Sequence, residues 1–242
     1  MKLLLSLLLL SAFFITSCAT ADLSLSKSAE QDFYKAERLF EDEQYARAVQ
    51  YLGKFTAKYP YSSYIVPAKI IRIKAAYANN EFILSETLAA RFIDAHPAHQ
   101  QRDYAEYMLG MSYFKQSESA KHEQVFSKKA KQTFTALYQR NPNGEYAQEA
   151  KKYTQELTNR IAEHEMFIGK FYAERGLYVG AINRFIVVKN NFSESSAAPE
   201  SLYWLASSYI ALAQQTYAQQ IIKQLEKNFA GNEWQQKAET LM

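Results

Sequence analysis

Ala48 to Pro60 reads AVQYLGKFTAKYP, and the fold class follows from counting back from its proline. A small residue stands at minus 12 (Ala48), an apolar one at minus 8 (Leu52) and another at minus 5 (Phe55). The same template fits Ser85, Ala89 and Phe92 ending at Pro97, and Ala130, Phe134 and Leu137 ending at Pro142. It fits again at Ala181, Phe185 and Val188, with Ser193 in the proline slot, and at Ala218, Ile222 and Leu225, with Ala230 there. Steps of four and three residues put these side chains on one helical face, and the proline falls where a helix has to stop. Five copies under one rule predict an internal repeat.

Composition agrees. A chain of 242 residues that is 48% hydrophobic can bury a sizeable core in one or two domains. Seven Gly and five Pro favour long helices over a turn-rich β fold. The formal charge of +3 offers no concentrated basic face, so nucleic acid is not an expected partner. Tyr (18) and Phe (15) are plentiful, and Tyr suits both helix packing and wet interfaces.

In chain order, the first pair is a helix through Phe33, Ala36, Glu37 and Phe40, a turn at Glu41–Gln44, and a helix over Tyr45–Lys58. Helix, short turn, helix and proline at a period near 34 residues is the tetratricopeptide pattern. The second pair is expected to open on Ser62, Ser63 and Pro67, a cap followed by a proline, turn at Asn79–Glu81, and return over Phe82–Ala95. The third carries Tyr104–Phe114 and then a polar insertion, Lys115–Lys128. Tyr146–Arg175 holds no proline, so one long helix, closed by Gly176, opens the fourth pair. The fifth starts at Pro199–Glu200 and returns over Thr216–Phe229, with Asn232–Met242 as a capping helix. The expected fold is an all-α superhelix of five helix pairs: repeats one to three over 29–145, and repeats four and five with the cap over 146–242.

Residues 1–17 read as a signal peptide: Lys2, an apolar run from Leu3 to Ile15, then small Thr16 and Ser17. The run is shorter than the roughly 20 residues that span a bilayer. Ile15-Thr16-Ser17-Cys18 resembles the bacterial lipobox, in which the cysteine is acylated and becomes the mature N-terminus. Cleavage after Ala21 in Ala19-Thr20-Ala21 is the rival reading. Under the first, Cys18 carries the lipid, 18–28 is lipidated cysteine and tether, and Ala19, with no aspartate there, points to the periplasmic face of the outer membrane.

Catalytic chemistry finds little support. His96 and His99 flank Pro97-Ala98 in a turn and lack a third defined ligand, so no metal is expected. His164-Glu165 lacks the second histidine of a zinc protease helix, and there is no Gly-rich phosphate loop and no G-x-S-x-G. The single Cys belongs to the leader. The chain reads as a non-enzyme with no cofactor beyond the covalent lipid.

Taken together, the lipobox, the five pairs, the insertion and the long helix resemble the BamD family, the lipoproteins of the outer-membrane β-barrel assembly (BAM) machine. Tyr45-Ala46-Arg47-Ala48, Arg91-Phe92-Ile93 with Pro97, and Asp103 to Gly110 carry the resemblance, and the most specific stretch is Phe171 to Arg184, FYAERGLYVGAINR. The repeat-three insertion departs from the family by looking shorter and less acidic. The resemblance implies a scaffold whose C-terminal repeats grip the POTRA region of the BamA-type barrel subunit, alongside other BAM lipoproteins. Arg175 and Arg184 are then the candidate contacts, with Glu174 and Asn183 as adjuncts. The blander alternatives are that Arg175 closes its own helix and Arg184 pairs with a neighbouring acid. It also implies an N-terminal groove for unfolded outer-membrane proteins. First helices face inward in such repeats, making Tyr64, Lys69, Arg72, Tyr77 and Asn79 candidates, against Tyr77 as inter-helix core and solvated cations. A different function on the same fold is a cell-envelope scaffold for peptidoglycan or division machinery.

Overall fold

The computed structural model describes residues 23–241, so Cys18 and the signal peptide lie outside the described residues. Among the described residues there are eleven helices and no strand. In order they are α1 (Ala29–Glu41), α2 (Tyr45–Lys58), α3 (Ile65–Ala78), α4 (Phe82–Ala95), α5 (Arg102–Gln116) and α6 (Val125–Arg140). Then come α7 (Ala147–Ala173), α8 (Tyr178–Asn191), α9 (Ala198–Ala211), α10 (Gln215–Asn228) and α11 (Glu233–Glu239). The first ten form five antiparallel pairs stacked as a tetratricopeptide-like superhelix, and α11 packs over α9 and α10.

All fifteen template residues are buried, none more than 2% exposed. Each second helix stops two residues before its proline slot: Lys58 before Pro60, Ala95 before Pro97, Arg140 before Pro142, Asn191 before Ser193, Asn228 before Ala230. A residue preceding proline is steered out of the α region, which accounts for the stop in the first three repeats. Filling one such slot with a buried Leu or Phe contributes about 1.5–3 kcal/mol. The rings need matching hollows. A Cβ added at Gly110 of α5 would run into the Phe134 ring, and one at Gly169 of α7 into the Phe185 ring. A helix-interior glycine costs roughly 1 kcal/mol against alanine, and close packing of the facing helix offsets that cost here.

Four of the five turns inside a pair share one backbone device. Glu43, Asn80, Gly176 and Ala213 all have positive φ, between 56° and 72°, and each directly precedes the N-cap residue of the second helix. The turn between α5 and α6 is replaced by the insertion.

Several local expectations need correction. Ser62 and Ser63 do not cap α3. Tyr64 holds the cap position in a helical conformation, and Ser62 Oγ accepts from the Tyr64 N–H at 3.2 Å. Pro67 is the third helical residue, still within the first turn, where an N–H has no intrahelical partner. The insertion is shorter than Lys115–Lys128. Helix α6 begins at Val125 because the Lys128 N–H already reaches the Gln124 carbonyl at 3.0 Å, leaving 117–124 as the loop. That loop is strapped to the long helix: Arg160 donates to Ser117 Oγ, and His164 Nδ1–H to the Ala120 carbonyl at 2.7 Å. Helix α7 ends at Ala173, short of Arg175, and the Leu177 N–H closes the turn onto the Tyr172 carbonyl at 3.0 Å.

The chain ahead of α1 is not a free polar tether once it reaches residue 23. Leu23 and Leu25 pack on the first core, and Asp32, 1% exposed, holds the segment down. Asp32 Oδ1 accepts from the Ser26 N–H (2.8 Å) and the Tyr51 hydroxyl (2.7 Å); the Tyr59 hydroxyl lies 2.9 Å from Asp32 Oδ2. Lys54 and Lys58 donate to the carbonyls of Leu23 and Ser26. Burial by itself would raise the Asp32 pKa, but the donors from Tyr51, Ser26 and Tyr59 outweigh it and hold the carboxyl below its ordinary 3.8.

Two outcomes follow from this packing. Gly169→Ala should destabilise the chain by about 1–3 kcal/mol, read by urea unfolding, because the Phe185 ring has nowhere to retreat. A folded-state pKa depressed at Asp32 means its contribution is complete above about pH 4 and fades as pH falls below that. Asp32→Asn should therefore lower stability at pH 7 by about 1–3 kcal/mol and flatten the acid limb of a stability–pH curve.

Candidate functional site

Two faces of the superhelix carry the candidate residues, and a corner joins them to the C-terminal half. First helices line the inner face. Tyr77 of α3, Tyr104 and Tyr107 of α5, and Tyr146 and Tyr153 at the start of α7 form a row there. Tyr107 and Tyr146 stack at 5.0 Å, Tyr104 meets Tyr146 edge-on at 5.5 Å, and Lys74 sits 4.9 Å over the Tyr104 ring. Burial raises the pKa of Tyr77, Tyr104 and Tyr107, with Glu149 adding to the rise at Tyr107, and pushes Tyr146 up to about 12. At neutral pH these hydroxyls are therefore protonated and able to donate.

The groove candidates do not converge on this row. Tyr77 belongs to it. Tyr64 stacks on Phe33 at 4.9 Å and joins the inner faces of the first two pairs. Asn79 caps the end of α3 and donates to Glu81 Oε1 at 2.5 Å. Lys69 and Arg72 turn away. From Lys69 to Lys74, and from Arg72 to Tyr77, is five residues, roughly 140° around the helix. They line a cavity of about 280 Å³ on the other flank, between α2 and α4, with Thr56, Leu88, Arg91, Phe92 and Ala95. Inward-facing helices have an outer flank too, which spacing alone does not distinguish.

In the C-terminal half, Arg175 and Arg184 each have a partner within the chain. The Arg175 guanidinium lies 3.6 Å over the Phe171 ring and its Nη1 donates to the Phe171 carbonyl at 3.0 Å, closing α7. Arg184 of α8 pairs with Glu165 of α7 at 3.1 Å. Glu165 is buried, while the arginine keeps 41% of its side chain exposed. Glu174 and Asn183 are exposed.

Sequence reasoning missed the surface around Arg175. Phe167 and Phe171, one turn apart on α7, are 45% and 44% exposed, Leu177 in the turn 54%, and Val179 at the start of α8 65%. Four large apolar side chains are exposed along the end of α7, the turn and the start of α8, with the Arg175 cation laid over one of them, Phe171; exposed apolar surface beside a charged rim is the composition of a docking surface. The signal was available in Phe171 to Val179, where apolar residues fall outside the template slots.

The histidines are engaged locally. Lys69 Nζ lies 3.1 Å from His96 Nε2, the His99 Nδ1 accepts from the Gln101 N–H at 3.0 Å, and His122 sits beside Glu118. Among the described residues no group of three or more His, Cys, Asp or Glu stands together as a metal site would require. No described helix is long and apolar enough to cross a membrane.

A family model described as an outer membrane lipoprotein, YfiO, matches residues 26–237. An outer membrane protein assembly factor BamD from Caulobacter vibrioides is 29% identical over 187 residues, which cover 77% of this chain and 61% of that protein. A protein of the same description from Pasteurella multocida is 28% identical over 211 residues, 83% of this chain and 81% of its own length. Another, from Neisseria meningitidis serogroup A, is 26% identical over 232 residues, with 89% and 87% covered.

The pairing of Arg184 with a buried acid separates structure from recognition. Arg184→Leu leaves the Glu165 carboxylate uncompensated and should cost about 1–2 kcal/mol in urea unfolding, whereas the double change with Glu165→Leu should recover most of that loss.

Proposed function

The chain belongs to the YfiO family of outer membrane lipoproteins, and from that premise we propose that it is a non-catalytic scaffold component of the outer-membrane protein assembly machine. The coarse part of this reading is supported by the relatives, which are named outer membrane protein assembly factors. The finer part is our own. The chain is held at the periplasmic face of the outer membrane by lipid on Cys18. Its C-terminal half docks the POTRA region of the barrel-forming BamA-type subunit, other lipoproteins of the machine join it, and unfolded β-barrel proteins are its clients.

One observation carries the docking claim: the exposed corner of Phe167, Phe171, Leu177 and Val179 around Arg175. Arg175 already satisfies its own helix end, so a partner carboxylate would add to a guanidinium whose orientation is set in advance. The tyrosine row suits the client role. Rings with protonated hydroxyls give stacking faces and donors for an extended chain whose backbone is not yet paired, and they make no demand on its sequence.

The reading is tested by co-purification from detergent-solubilised membranes. Phe171→Asp with Val179→Asp should remove the barrel subunit, a loss of tenfold or more in affinity, while the melting temperature stays within a few degrees because both side chains are exposed. Retention of the barrel subunit by this variant would overturn the docking site. In the same preparation Cys18→Ser should move the protein from the membrane to the soluble fraction, since removal of the acyl chains removes the anchor.

A further inference from the structure

The cavity between α2 and α4, on the flank away from the tyrosine row, has a chemistry that assembly with a barrel protein does not use. Three cations line it, Lys69 and Arg72 from α3 and Arg91 from α4, together with Thr56, Leu88, Phe92 and Ala95, and no acidic side chain does. Among the described residues none of the three forms an ion pair with a carboxylate. Arg72 Nε is buried with no hydrogen-bond acceptor. Lys69 is met by His96, a neutral base whose pKa is held down by burial and by the lysine itself. The acid nearest in effect is Glu81, which is hydrogen-bonded by Asn79.

The arrangement is built rather than incidental. Gly53, in the interior of α2, faces the Arg72 guanidinium: a Cβ there would stand 3.0 Å from Nη2 and 3.3 Å from Cζ. The glycine makes room for the fork to lie against the helix, at a propensity cost that the α2 sequence otherwise avoids. The corresponding gap one repeat later resolves its charges internally. Lys69 and Glu106 each stand nine residues past their repeat's preceding proline, Pro60 and Pro97. Glu106, with Asp103, pairs with Arg140 of α6. Where the third repeat has acid answering base, the second has base facing base, and the charge of Arg91 and the burial of Arg72 both weigh against the Arg72 cation.

We propose that this cavity is a binding site for a phosphate group. A dianion with several acceptor oxygens matches two guanidinium forks and an ammonium, whereas a single carboxylate would leave two positive charges unanswered. Thr56 adds a hydroxyl, and Leu88 and Phe92 wall one side with apolar surface. The phosphate is either free or carried on a lipid headgroup; the chemistry is shared.

The test titrates the full chain with sodium phosphate against sodium chloride of equal ionic strength, following melting temperature and ³¹P line broadening. Phosphate should bind saturably and raise the melting temperature above the chloride control. Arg72→Gln should weaken binding tenfold or more. Gly53→Ala keeps all three charges but displaces the guanidinium, and should weaken binding as well. Lys131→Gln, a cation in the gap beside α7, should leave binding unchanged. A short-chain phosphatidic acid below its micelle concentration, competing with phosphate in an Arg72-dependent way, assigns the headgroup as ligand; binding of free phosphate alone assigns the small anion. No phosphate-specific shift, an equal response from Arg72→Gln, or acetate binding as tightly as phosphate would overturn the proposal. The ³¹P measurement keeps the result readable if a variant melts early.

Discussion

The fold depends on large side chains of the second helices burying against the helix before them, and in two repeats the ring seats in a hollow there. Phe134 fits because position 110 has no Cβ, and Phe185 fits because position 169 has none. A small residue at the first template position, Ala48, Ser85, Ala130, Ala181 or Ala218, lets the second helix approach closely enough for the contact to form. The interlock fixes the angle between the helices of a pair, and repeated along the chain it fixes which flank of every helix faces inward. Turn geometry then follows, and the left-handed residue ahead of four of the second helices is accepted, even as Glu43 or Ala213, because the packing on both sides over-determines it.

That interlock is also why the fold was so legible and the site less so. Helical repetition writes the buried face into the sequence at steps of three and four, so the template residues and the stops of the second helices could be read directly. Exposed faces are written with no such period. Lys69 and Arg72 were placed with Tyr77 because all three lie on a first helix, yet a helix has two unburied flanks, and only the neighbouring α2 and α4 decide between them. Ser62 looked like a cap because cap residues are recognised by type, while the helix in fact takes its cap two residues later, at Tyr64. The role of Asp32 has no signal in the local sequence, because its hydroxyl donors, Tyr51 and Tyr59, lie 19 and 27 residues away. Arg184 was expected to have either an internal acid or a partner. The acid is Glu165, and the arginine still keeps 41% of its side chain exposed.

Charge is distributed between the repeats in a way that separates their tasks. In the third pair Arg140 is answered by Asp103 and Glu106, and in the fourth and fifth Lys170 is answered by Glu200 and Arg184 by Glu165. These pairs stitch neighbouring helices together and leave the C-terminal half with apolar contact as its main unspent resource. In the second pair the cations stay unmatched, so that part of the molecule offers charge where the other end offers rings and branched chains.

Helix α7 belongs to two cores at once. Ala150 and Leu157 pack with Met111, Phe134 and Leu137, while Ala162, Met166 and Ala173 pack with Phe185, Leu202 and Leu205. Ordinary stacked arrays melt by fraying from either tip, one unit after another. Here a single rod of 27 residues, about 40 Å long, is a structural member of both halves. Loosening at one end therefore has to be transmitted along the rod or resisted by it, and the two halves are bound into one thermodynamic unit across the middle of the array.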